Sequence, residues 1–296
     1  MNEYIFLFMK SWRLSFFLLI SVTLGGTSQD IVEYKLPIYL MSIFLIAWAI
    51  NDVNEKRIRN HNNLPFILGG TLIFLFLVYL IPLPPEVWVN IAGRNVITNT
   101  YDLVGIRPTW MPLSLVPEKT LFSLLDFLPI LAVFSLVIIS AKKTELRRSY
   151  TTIIVITTIS AGLGIIQATF GNEVFYMYSV TNLGDSVGFF SNANHHACFL
   201  AMTAPLCLYY FFERIKDGKH AIHYKLASVV CGFLIALSLI LSQSVAGYIL
   251  FSLGVFLTTR TLIFHKQNQM PSLIAGICLS AVSLLLITIV FSDGFD

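Results

Sequence analysis

Leu226 to Ile263 reads LASVVCGFLIALSLILSQSVAGYILFSLGVFLTTRTLI, 38 residues in which Arg260 is the only charge. A helix crossing a bilayer core of roughly 30 Å needs about 20 apolar residues, so this run is too long for one span and fits two. The step Ser242-Gln243-Ser244-Val245-Ala246-Gly247 divides it, because Ser- and Gly-rich positions suit a tight turn. Apolar runs at 12–27, 36–51, 64–81, 121–140, 150–170, 194–212 and 271–291 join the two halves at 226–242 and 247–263. Together they predict an all-α, polytopic transmembrane helix bundle with about nine spans. The first run lacks a small-x-small cleavage site before the next span, so it is expected to stay in the mature chain.

Composition agrees with this reading. Of 296 residues, 56% are apolar and 12% charged, and the mean hydropathy is +0.77. That is too little charge to coat a soluble surface, which excludes a soluble enzyme, a disordered chain and a nucleic-acid binder, and makes the lipid bilayer the first partner. Cys198, Cys207, Cys231 and Cys278 lie in apolar runs without C-x-x-C spacing and read as small hydrophobes. When the 19 Lys and Arg are sorted between alternate loops, only Lys35, Arg94, Arg107 and Lys119 fall on one side. The excess of positive charge on the other side predicts a cytoplasmic N-terminus.

On the outer side this topology leaves two polar segments, residues 82–120 and about 171–193. The first is punctuated by Pro82, Pro84, Pro85, Pro108, Pro112 and Pro117 among Trp88, Tyr101 and Trp110, so an ordered, turn-rich re-entrant or interfacial loop is expected. The whole of 1–296 reads as a single transmembrane domain.

Several residues carry candidate chemistry. In Gly188-Phe189-Phe190-Ser191-Asn192-Ala193-Asn194-His195-His196-Ala197, polar groups sit where an outer loop enters a span. Such groups are costly in hydrocarbon unless they face protein or water. Asn192 or Asn194 can cap the helix, and their amides with the first free N–H groups can donate to a phosphate or a sugar hydroxyl. The alternative is a plain cap with interfacial histidines. Arg94 and Arg107 can bind a pyrophosphate bidentately, or pair with Asp102, Glu86 or lipid headgroups. Ser244, with Ser242 and Gln243, can line a polar cavity or serve close helix packing. His220 and His223 have i, i+3 spacing without a third ligand nearby, so no metal is expected. No phosphate-binding loop, dinucleotide fingerprint, nucleophile elbow or zinc-protease motif is present, and no cofactor is expected.

Three strings carry a resemblance. Ile81-Pro82-Leu83-Pro84-Pro85-Glu86-Val87-Trp88, then Pro112-Leu113-Ser114-Leu115-Val116-Pro117-Glu118-Lys119-Thr120, then the Gly188–Ala197 segment resemble, in that order, the O-antigen ligase and polysaccharide polymerase family of bacterial inner-membrane proteins. The third is the most specific, as G-x-F-x-N-x-N-H-x-A entering a helix is typical of that family. The resemblance implies a metal-independent glycosyltransferase on the periplasmic side. It would move a glycan from undecaprenyl pyrophosphate to a sugar hydroxyl on lipid A-core or on a growing polysaccharide chain. Asn192, Asn194 and His195 are the expected site shell, with His195 the candidate base, Arg94 and Arg107 the pyrophosphate contacts, and Ser244 a further substrate-binding residue. Family members often carry arginine where this chain has Asp185, and Ser-Arg-Gly or Ser-Arg-Ala where it has Ser244-Val245-Ala246. The family also continues into a large periplasmic loop, which holds its own base, and into further helices; the sequence stops at Asp296, so it reads as the N-terminal part of the pattern. Two other readings stay open: a transporter or flippase of lipid-linked sugars, and an inactive assembly partner of a polysaccharide polymerase.

Overall fold

The computed structural model describes residues 3–28, 32–52, 64–139, 143–171, 175–218 and 220–264. It is mostly helical. The long helices are α1 (Glu3–Leu24), α2 (Val32–Asp52), α3 (Leu64–Leu80), α6 (Pro117–Ile139), α7 (Lys143–Phe170), α8 (Ala193–Lys216), α9 (Ala221–Leu241) and α10 (Val245–Phe264), with the short α4 (Pro85–Trp88) and α5 (Asn95–Val104) between α3 and α6. Two-residue strands β1 (Pro82–Leu83) and β2 (Met111–Pro112) pair antiparallel across that excursion. Within six helices the segments Glu33–Asn51, Pro117–Ile138, Glu145–Phe170, Ala193–Lys216, Ala221–Leu241 and Val245–Leu262 are long and apolar enough to cross a membrane. Helices α1 and α3 carry shorter apolar stretches, Trp12–Leu24 and Ile67–Leu80. A helix lies at each of the first eight predicted spans; the ninth, 271–291, lies outside the described residues.

The chain divides into two compact units, residues 1–38 with 142–296 and residues 39–141. In the first, α7 packs on α1, α8 and α9, while α8 also packs on α9 and α10. Small residues let α8 and α10 approach: a Cβ added to Gly247 would lie 2.6 Å from the Ala197 methyl, and one on Gly254 would lie 2.8 Å from the Pro205 ring. Close backbone approach is how membrane helices gain packing contacts, since lipid is as apolar as the side chains it replaces. Ala197, Leu200, Ala204, Cys207 and Phe211 of α8 form the core with Ile235 and Leu239 of α9 and Tyr248 of α10. The step between α9 and α10 falls at Ser242–Ser244, within the six-residue step read from sequence; Gln243 takes φ 52 and Ser244 Oγ accepts from Gly247 N at 3.2 Å.

In the second unit α3 packs on α6, and Tyr39 on α2 donates to Asp126 of α6 at 2.6 Å. Residues 82–116 are ordered around Trp88, which is fully buried and donates its indole N–H to the Thr109 carbonyl at 2.8 Å.

Candidate functional site

In the first unit, one face of α7 prepares the site. Thr157, Ser160, Gly164 and Gln167 recur at steps of three and four residues, so they share a helix face, and Thr157, Ser160 and Gln167 are completely buried. Gln167 acts as a clamp on the loop before α8. Its Oε1 accepts from Val187 N at 3.3 Å and Gly188 N at 2.7 Å, while Nε2 donates to the Phe175 carbonyl at 2.8 Å and the Gly188 carbonyl at 3.0 Å. One amide side chain thereby satisfies backbone groups that a buried loop would otherwise strand.

Beside it lies His196, also completely buried. Its Nδ1 is 2.9 Å from the Ser186 carbonyl, which can only accept, so Nδ1 carries the proton. Nε2, 3.1 Å from Ser160 Oγ, therefore accepts from that hydroxyl, which in turn accepts from Phe189 N at 3.3 Å. The partners fix a neutral imidazole in one tautomer. Ser186 Oγ meets Ser238 Oγ of α9 at 2.8 Å, and the Phe190 ring stacks on the imidazole with centroids 5.9 Å apart. Two glycines are required here: Gly188 has φ 56 and a Cβ on it would collide with Ser160 Oγ, while a Cβ on Gly164 would collide with Ser186 Oγ.

The same loop is tied to the end of α1. Ser191 N donates to the Gly26 carbonyl at 2.9 Å, Ser28 N donates to Ser191 Oγ at 2.8 Å, and Ser191 Oγ donates to Ser28 Oγ at 2.8 Å. Tyr178 adds a bond to the Leu24 carbonyl at 3.3 Å, and burial pushes its phenol pKa up.

Asn192 is the N-cap of α8, its Oδ1 accepting from Asn194 N at 2.8 Å, and Asn182 Oδ1 accepts from Ala193 N at 3.0 Å. Two of the N–H groups that the sequence offered to a ligand are thus taken by side chains. Asn194 and His195 remain exposed, and His195 Nδ1 lies 3.5 Å from Ser28 Oγ. The arrangement offers an amide, an imidazole and a hydroxyl on a base that cannot easily shift. Ser244 is buried, and its Oγ accepts from Gly247 N in the first turn of α10.

Arg94 and Arg107 belong to the other unit. Arg94 is buried; its guanidinium donates to the Pro112 carbonyl at 2.9 Å and to the Leu113 carbonyl, reaches Met111 Sδ at 3.1 Å, and lies 6.0 Å from the Trp88 ring centroid. It serves as a clamp on its own loop, a partner set that neither sequence alternative named. Arg107 is exposed. Among the described residues no three His, Cys, Asp or Glu side chains gather as a metal cluster, and the His220 and His223 rings sit 5.9 Å apart.

Sequence reasoning missed Gln167, Ser160, His196, Asn182 and Ser28. For the first three a signal was present, namely polar residues falling in phase with the buried face of an apolar helix.

Fold and site together define a multi-pass helical membrane protein that holds a rigid polar loop against the N-terminus of α8. No family model matches the chain, and neither a curated protein nor a solved structure matches it significantly.

Proposed function

We propose that this chain is an O-antigen ligase-like or polysaccharide polymerase-like glycosyltransferase of a bacterial inner membrane, with nine spans, a cytoplasmic N-terminus and its site on the periplasmic side. The observation that carries the reading is the exposed Asn194 and His195 pair in the first turn of α8, where the loop leading into that helix is tied to Gln167 of α7, His196 of α8 and the residues that follow α1. Positioned donors and acceptors of this kind suit transfer chemistry, which gains from fixed geometry. In the proposed step the oxygen of an acceptor sugar hydroxyl attacks the anomeric carbon of the lipid-linked glycan as the bond from that carbon to the phosphate oxygen breaks. The electron pair leaves with undecaprenyl pyrophosphate, His195 takes the hydroxyl proton, and Asn194 orients the acceptor.

The test uses the full chain in nanodiscs with a lipid-linked glycan and a lipid A-core or polysaccharide acceptor. His195→Ala should lower transfer by about 10²-fold or more, the usual scale for a general base, and Asn194→Ala should lower it as well. Transfer equal to that of the unaltered chain in both variants would refute the assignment. Movement of the lipid-linked glycan across the bilayer without transfer would replace it with the transporter reading. Stable copurification with an active polymerase, without intrinsic transfer, would replace it with the assembly-partner reading.

A further inference from the structure

The excursion between α3 and α6 carries a second feature, which does not depend on the proposed function. Helix α5 has two faces. At 100° per residue, Val96, Ile97, Thr100, Tyr101, Leu103 and Val104 occupy one arc, and Asn95, Thr98, Asn99 and Asp102 the other. Tyr101 turns toward the Trp88 ring, 6.1 Å away, and bonds Thr109 Oγ1 at 3.3 Å, so that edge of the apolar arc is used for packing. The rest is bare: Val96 is 76% and Leu103 88% exposed, and α5 contains no buried residue. Val104, at the end of α5, is exposed as well, and Ile106 and Trp110 extend the exposed apolar surface beyond the helix.

We infer that the apolar face of α5, with Ile106 and Trp110, lies in the lipid interface and anchors the 82–116 excursion flat on the bilayer. Continuity and residue chemistry favour lipid over other occupants. The excursion leaves from the end of the apolar α3 and returns at the start of α6, whose Pro117–Ile138 segment is apolar enough to cross a membrane. Both of its ends are therefore fixed at the membrane surface. Ile81, Leu115 and Val116, at those two ends, are themselves exposed apolar residues, so the band continues onto the helices that lipid surrounds. Trp is enriched at headgroup depth, and an arginine beside it can keep its charge in the headgroup layer while its stem lies on apolar surface; Arg107 follows Ile106 directly. A polar opposite face is what separates a helix lying on a membrane from one crossing it.

Nitroxide accessibility tests this directly. In a full-length background with Cys198, Cys207, Cys231 and Cys278 replaced by alanine, spin labels are placed singly by Val96→Cys, Leu103→Cys, Asn99→Cys and Asp102→Cys, all at exposed positions. In nanodiscs the ratio of oxygen to water-soluble nickel accessibility should exceed one at Val96 and Leu103 and fall below one at Asn99 and Asp102. Equal nickel accessibility at all four would place the helix in water and overturn the inference. Shielding of Val96 and Leu103 from both reagents would mean that protein, a second copy or a partner, covers the face, which also overturns it. Should the cysteine-free background fail to fold, native protein and Trp110→Phe are compared in lipids brominated high on the acyl chain. The emission lost with Trp110 should be quenched, and an unquenched difference spectrum refutes the anchor.

Discussion

Replacing Gln167 by alanine tests the claim that one buried amide holds the loop leading into α8, whose first turn carries Asn194 and His195. The substitution removes hydrogen bonds to Val187 N, Gly188 N, the Phe175 carbonyl and the Gly188 carbonyl, at a side chain with no exposure. At about 1 kcal/mol net for each bond the loss approaches 4 kcal/mol, and buried groups left without partners push it higher. Relaxation of the loop and entry of water return part of this, so a net cost of about 2–4 kcal/mol is expected. Gln167→Glu separates hydrogen bonding from volume. Its carboxylate can still accept from the two N–H groups but presents a second oxygen, in place of the amide N–H₂, to the Phe175 and Gly188 carbonyls. It too should destabilise, unless the carboxyl protonates and donates to one of them. The assay is thermal unfolding in detergent with a thiol-reactive dye reporting exposure of the buried Cys207 and Cys231, combined with hydrogen exchange over 182–191. Gln167→Ala should lower the apparent Tm and speed exchange in that loop before the rest of the unit. An unchanged Tm with unchanged loop exchange would refute the clamp.

Other substitutions probe the remaining contacts. Gly188→Ala meets both a left-handed φ and a collision with Ser160 Oγ; it should destabilise by at least as much as ordinary backbone strain, about 1–3 kcal/mol, read from the same melting curve. Arg94→Lys keeps the charge but loses the fork that reaches two carbonyls; proteolysis within 109–116 should speed up without a matching drop in global Tm. Burial raises the pKa of Asp185. The folded chain therefore holds that proton more tightly than the unfolded chain, and the associated stability is present in acid and lost as pH rises through the raised pKa. Asp185→Asn should accordingly melt higher than the native protein at neutral pH, with the gap closing as pH falls through the acid range.

How much of this could be read from the sequence depended on whether a local pattern was enough. The α9–α10 break was legible because serines, a glutamine and a glycine interrupt an otherwise apolar run, and Asn192 was legible as a cap from residue type and position alone. The choice between His195 and His196 needed the phase of α8. Adjacent residues on a helix lie 100° apart, so one histidine of the pair faces the core and the other does not. Ala193, Ala197, Leu200, Ala204, Cys207 and Phe211 mark the buried face, and His196 falls on it. That periodicity lay in the sequence, but the unusual pair of side chains drew attention first. The partners of Gln167 were hidden for another reason: they are backbone groups 8 to 21 residues away, and backbone groups leave no mark in a sequence. Arg94 follows the same rule, since its ligands are carbonyls that any residue types would supply.

The order of the units along the chain has a consequence for how the protein is made. Helix α1 packs on α7, yet α7 begins at Lys143, after the whole of the 39–141 unit. At about 5–20 residues per second a ribosome needs on the order of ten seconds to synthesise what lies between the end of one helix and the start of the other. Through that interval α1 waits without its partner while α3 and α6 find each other. The 39–141 unit is therefore synthesised in full before the other can close, and Gly26 and Ser28 after α1 gain their partner only when Ser191, in the loop before α8, emerges.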